Sequence, residues 1–233
     1  MRFIAHLKEK GDTYIKLVEL LVLVAGVYFG LTGLSENTKS NLTASRGQLY
    51  AAEAIVSTRE YDASSSSLQS LYAHPAGAIT DPKEYITMRL RAMSADEGVL
   101  QARNVSELYE AFGGLRAYTG QTAAPGTVEL RRAFIHLTSV FGVMHSALDY
   151  HNEGVLSSGE LTGWFGYVSD IGPHPLLLAT MWSWHESRYM SREFAREVRQ
   201  RLLDDAPRHR QVIEYFYPQM LAPDFLEPLN DYR

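Results

Sequence analysis

Apolar positions are unevenly spread along the chain, and the densest run sets the first expectation. Leu17 to Leu34 is eighteen residues long and its only charge is Glu19. As an α-helix it would extend about 27 Å, close to the ~30 Å hydrocarbon core of a bilayer. A soluble helix keeps a polar stripe, and none lies between Leu20 and Leu31. A cleaved signal peptide has an apolar region of about 7–15 residues ahead of a small-x-small site, whereas this run continues into Ser35, Glu36 and Asn37. The pattern predicts a transmembrane helix over 17–34.

The periodicity then becomes amphipathic. Leu42, Ser45, Leu49, Ala52 and Val56 recur at spacings of 3, 4, 3 and 4, one side of a helix, so the span is expected to continue as a stalk over 35–61. Asp62 to Ser67 reads as a break. Asp81-Pro82-Lys83-Glu84 supplies a cap, a first-turn proline and an acidic third position, which predicts a helix to about Met93. Asn104 precedes another helical stretch, VSELYEAFGGLRAY. Residues 120–126 form a loop, with Thr127 as the expected cap of the apolar run Val128–Leu148. Gly172-Pro173-His174-Pro175 breaks the chain again, and Ser191 opens REFAREVRQRLL. No alternating strand pattern of useful length occurs. The expected fold class is all-α, an N-terminal transmembrane helix continuing into a stalk and followed by an extramembrane helical bundle. The segments are a basic flank (1–16), the span (17–34), the stalk (35–61), the bundle (62–217) and a Pro-punctuated tail (218–233).

Charge adds orientation. Arg2, Lys8, Lys10 and Lys16 precede the span, against Lys39 and Arg46 after it, which favours a cytoplasmic N-terminus and an extracytoplasmic, periplasmic body. Phe3, Ile4 and Leu7 among these lysines suit the membrane surface. The sequons at Asn41 and Asn104 are too common by chance to add to this. With 45% hydrophobic and 11% aromatic residues in 233, the chain can bury enough to fold. There is no cysteine, and 22 basic against 27 acidic residues with no basic block give no footprint for nucleic acid. Inside the span, Gly26 and Gly30 form a G-x-x-x-G pair with Gly33 nearby, a face on which another helix can pack closely. The expected partners are therefore the lipid bilayer and other membrane protein subunits, with a homo-oligomer as the other possibility.

Several constellations bear on chemistry. Asp149 to Glu160 has the register of a calcium loop, with Asp149, Glu153, Gly154 and Glu160 in place, but His151 occupies a position that needs oxygen. The same residues also read as a helix end at Gly154 followed by a Ser157/Glu160 capping box. His145 and Asp149 lie four apart, with His151 close behind, a spacing that suits a metal if His174, His185 or Glu186 supplies a further ligand. These remain weak metal candidates, and no metal or other cofactor is expected. Around Trp182 to Tyr189 the chain is aromatic and polar at once. Trp182 and Trp184 point about 160° apart on a helix, so they form no single platform. Trp, Tyr and Arg dominate interface hot spots, which makes Trp182, Trp184, Arg188, Tyr215, Tyr217 and Phe225 the candidates for partner contact, the last in a tail expected to lie along a partner. No serine-hydrolase elbow, phosphate loop, dinucleotide fingerprint or H-E-x-x-H helix is present, so no catalytic residue is assigned.

The order of these features resembles an uncharacterised family of bacterial single-span membrane proteins. The likeness is carried by Ser35-Glu36-Asn37-Thr38-Lys39 after the span, the helix through Leu49, the stretch Gly154 to Glu160, Trp182 followed by Arg188, and Phe194-Ala195-Arg196-Glu197-Val198. The resemblance implies one membrane helix and a helical domain of unknown function, and transfers no activity. Together the features lead to the expectation of a non-catalytic, membrane-anchored accessory or scaffolding subunit of a larger complex, respiratory or photosynthetic hosts first. The rival is a metal- or ligand-binding sensor or minor enzyme using His145, Asp149 and His151.

Overall fold

The computed structural model describes residues 38, 40–52, 66–73, 79–113, 125–204 and 207–229. The chain divides into two units, Met1–Gln48 and Leu49–Arg233. The apolar run Leu17–Leu34, with Gly26, Gly30 and Gly33, lies outside the described residues. Among those described, no helix is long and apolar enough to cross a membrane, and no strand occurs. Helix α1 covers 40–52, and Leu42, Ser45, Leu49 and Ala52 are the positions along it withdrawn from solvent. The predicted stripe is therefore present as far as the description reaches.

The second unit is all-α. Its helices are α2 (Ser66–Tyr72), α3 (Pro82–Ala92), α4 (Glu97–Leu100), α5 (Val105–Ala111), α6 (Pro125–Asn152), α7 (Ser158–Trp164), α8 (Gly166–Ile171), α9 (Pro175–Glu186), α10 (Arg192–Asp204) and α11 (Pro207–Phe216). A 3-10 turn, Pro218–Leu221, follows. The 28-residue α6 packs against α2, α7 and α9, while α9 also meets α3 and α5. Leu176, Leu177, Leu178, Ala179, Thr180 and Met181 are all buried. A helix apolar on every side has no solvent face to keep, so α9 lies inside the bundle. Among the described side chains of α10, only Phe194, Ala195, Val198 and Leu202 turn fully inward.

Helix ends follow local chemistry. The Asp81 carboxylate accepts from the Lys83 and Glu84 N–H groups, and Asn104 accepts from Glu107. Ser157 and Glu160 form a reciprocal capping box, and the Ser191 hydroxyl accepts from Phe194 N–H at 3.2 Å. After α6, Val155 N–H reaches Tyr150 C=O at 2.7 Å and Gly154 N–H reaches His151 C=O at 2.9 Å. This is the paired closure of a Schellman end, and it needs the left-handed backbone that Gly154 supplies at φ 75°. The same pair of bonds ends α3 at Ser94 and α9 at Arg188, both non-glycine residues, with φ 56° and 55°.

Three boundaries differ from expectation. Helix α6 starts at Pro125, not after a Thr127 cap: proline fits the first helical position, where its missing N–H is not needed, and Thr127 is buried a turn inside. It also continues past Leu148 to Asn152. Helix α5 ends at Ala111, because the chain turns out of helix at Phe112 and Gly113.

The larger correction concerns the tail. Pro218 to Leu229 is a strap over the bundle, with Met220, Phe225 and Leu229 in the main core at 0%, 4% and 1% exposure. Three side chains hold it by its carbonyls. Arg192 Nη2 donates to Leu229 C=O at 3.2 Å and Arg199 Nη2 to Leu221 C=O at 3.3 Å. His185 Nε2 donates to Phe225 C=O at 2.7 Å. The Phe225 ring stacks on His185 at 4.4 Å, meets the edge of Tyr217 at 6.0 Å and lies 5.8 Å from the Arg199 guanidinium. Removing a buried phenyl ring typically costs about 3–5 kcal/mol. Phe225→Ala should therefore lower the unfolding free energy of the full chain by about 3 kcal/mol in urea titrations in mild detergent; a loss under about 1 kcal/mol would place the strap outside the cooperative core.

Candidate functional site

The proposed metal residues are brought together only in part. His145 Nδ1 lies 3.3 Å from Asp149 Oδ2, and its Nε2 accepts the Ser191 N–H at 3.3 Å. Because Nε2 accepts, the neutral ring carries its proton on Nδ1, and that proton is aimed at Asp149. The imidazole thus ties α6 to the cap of α10, with its ring 5.1 Å from Phe194 and 6.5 Å from Trp184. His151 is used differently, its Nδ1 donating to Leu156 C=O at 2.9 Å across the turn after α6. Among the described residues no group of three metal-ligating side chains exists. His174 and His185 sit at opposite ends of α9. The Glu160 carboxylate of the calcium-like window is engaged by Ser157 N–H and hydroxyl at 2.8 and 2.7 Å. These residues act as helix ends and struts.

The partner-contact candidates separate into two groups. Trp182 meets Tyr109 at a tilt with ring centroids 5.1 Å apart, while Trp184 meets Phe141 edge-on at 5.6 Å and Phe194 at 6.1 Å. The two indoles diverge as their helical spacing requires, and both pack against the core. Tyr217 and Phe225, expected on a partner surface, are inside the chain's own core at 1% and 4% exposure. Burial pushes the Tyr217 phenol pKa up, and the Glu186 carboxylate adds to the rise. Arg188 and Tyr215 stay at the surface. Arg188 opens the turn after α9 in the left-handed conformation, beside Tyr189, which is 68% exposed.

Sequence reasoning missed a buried polar pair. Arg89 is 4% exposed, and its guanidinium donates to Leu71 C=O at 2.7 Å and to Ala73 C=O, closing the C-terminal end of α2. Burial lowers its pKa. His174 is fully buried at the cap of α9, and its Nδ1 accepts from Leu176 N–H at 3.1 Å. Only a neutral ring can accept there. Burial, reinforced by the neighbouring Arg89 charge, holds the His174 pKa well below the usual histidine range. The Gly172-Pro173-His174-Pro175 motif located this cap, but nothing in its letters showed an arginine from α3 nearby.

Comparison with protein-family models, with curated proteins and with solved structures returns no match.

The His174 arrangement makes stability depend on pH. The unfolded chain takes up the His174 proton near pH ~6.5, whereas the folded chain resists it, so the unfolded state binds more protons below that pH. Stability is then lost as pH falls from about 6.5, by at most about 1.4 kcal/mol per pH unit from this group. His174→Asn keeps an acceptor for Leu176 N–H and removes the titration. Urea melts between pH 7 and 5 should be flatter for the variant than for the wild type; equal slopes would show that His174 does not set the acid limb.

Proposed function

We propose that this chain is a non-catalytic, membrane-anchored accessory subunit that binds and stabilises a larger membrane protein complex. The observation that carries the reading is the apolar run Leu17–Leu34, long enough to span a bilayer and followed along the sequence by a helical domain. The body adds support, because His145 and His174 make hydrogen bonds at helix caps, His151 crosses the turn after α6 and His185 holds the strap. The resemblance to bacterial single-span proteins agrees with this topology. On this reading the N-terminus is cytoplasmic and the body extracytoplasmic, as the flanking lysines and arginines favour. Gly26, Gly30 and Gly33 are the helix-docking face, and respiratory and photosynthetic assemblies are the first hosts to test.

Outside the membrane the proposed contact is the α9–α10 turn. A non-glycine residue at positive φ costs about 1 kcal/mol or more. Arg188 occupies such a position next to the exposed Tyr189, and arginine and tyrosine are the residue types that concentrate binding energy at interfaces.

Cells broken without detergent should retain the full chain in the membrane pellet, and mild detergent should release it together with unlike subunits. Recovery in the aqueous fraction would end the membrane reading, and recovery as copies of itself alone would replace the accessory role with self-assembly. Gly26→Leu with Gly30→Leu should reduce co-purification by blocking close helix approach; unchanged recovery would remove this face from the interface. Arg188→Gly should stabilise the isolated chain by about 1 kcal/mol through relief of left-handed strain, yet weaken capture of the partner. A stabilised variant with undiminished capture would take Arg188 out of the interface.

A further inference from the structure

A groove on the second unit is formed by α3, the α4–α5 connection and α11, and it takes in the surface residue Tyr215. It encloses about 350 Å³, at the small end of the ~300–1,000 Å³ range of ligand sites. Ile86, Leu100 and Ala102 form its apolar wall, and Lys83, Arg103 and Tyr215 stand around it. No carboxylate lines it.

Its charge can be counted. The Arg103 guanidinium is already balanced by Glu107, with Nε and Nη2 at 3.3 and 3.0 Å from the two carboxylate oxygens, and Nη1 makes no hydrogen bond among the described residues. The Lys83 ammonium enters no ion pair among the described residues. The groove therefore carries one net positive charge beside an apolar wall and a tyrosine that is 42% exposed. A neutral ligand would leave the ammonium unused, and a polyanion would exceed the charge available. The volume suits one compact molecule.

We infer that this groove binds a small organic monoanion, a carboxylate carried on an aromatic or branched apolar body. The carboxylate accepts from Lys83 Nζ and Arg103 Nη1, and the apolar body lies against Tyr215, Ile86 and Leu100. Exposed ion pairs contribute little, so burial of the apolar body supplies most of the affinity and the carboxylate supplies selectivity.

Ligand-observed NMR titration of the full chain in non-ionic detergent tests this, with phenylacetate as probe and the isosteric, uncharged phenylacetamide as control. Phenylacetate should bind saturably in the millimolar range and the amide about fivefold more weakly, the scale of one exposed charge pair. Lys83→Gln should weaken phenylacetate by about the same factor and leave the amide unchanged, whereas Lys83→Arg should bind like wild type. Thr87→Trp fills the groove from the surface of α3 and should abolish saturable binding of both probes. Absence of saturable phenylacetate binding, equal affinity for acid and amide, or wild-type binding by Thr87→Trp would each overturn the assignment.

Discussion

The helical body depends on the burial of α9. A helix inside a core must find partners for the N–H groups of its first turn, because water cannot reach them. Here the requirement is met locally at three of the first four positions. Pro175 has no N–H to satisfy, the His174 ring accepts from Leu176, and the His174 carbonyl accepts from Leu178 at 3.1 Å. Gly172 makes the approach possible at φ 62°, ψ −154°, a conformation open essentially to glycine alone. The solution holds only while the imidazole is neutral, so the most buried helix is also where acid is expected to act first.

A second consequence is the use of cationic and imidazole groups as carbonyl ligands. Arg89 closes α2, while Arg192, Arg199 and His185 hold the strap by three backbone oxygens, two reached from separate turns of α10 and one from the end of α9, and none through a carboxylate. Such bonds read the main chain. What gives the strap its register is Phe225, the ring that His185, Tyr217 and Arg199 surround. The two arginines of α10 that hold the strap, Arg192 and Arg199, are thereby committed to the fold.

Much of this body was legible in the sequence, and the reasons are local. Asp81, Asn104, Ser157 and Ser191 mark helix starts because a short polar side chain can reach an N–H two or three residues on. Gly154 marks an end through its backbone freedom. The stripe from Leu42 to Ala52 and the divergence of Trp182 from Trp184 follow from helical geometry. The site was less legible. His145 and Asp149 have the spacing of a ligand pair, but the same spacing serves a hydrogen-bonded strut, and Ser191, which decides between them, lies 46 residues away. The tail misled for a related reason: its prolines and aromatics describe any segment laid on a surface, and letters do not say whose surface it is. The Lys83–Arg103–Tyr215 groove needed three distant segments to meet.

The distribution of exposed apolar residues constrains how such a body can associate. Among the described residues the large exposed ones are Tyr50, Met88, Val128, Tyr189 and Tyr215. They come from α1, α3, α6, the α9–α10 turn and α11, and apolar residues scattered singly are ordinary on a soluble surface. A stable interface needs about 800 Å² from each partner with a desolvated centre, which one Arg–Tyr turn does not supply. On the accessory-subunit reading, most of the association energy therefore falls to the apolar run and its glycine face, where confinement to the bilayer brings helices together before any contact outside it forms. The helical body then selects the partner and its orientation, a task that a few well-placed side chains can perform.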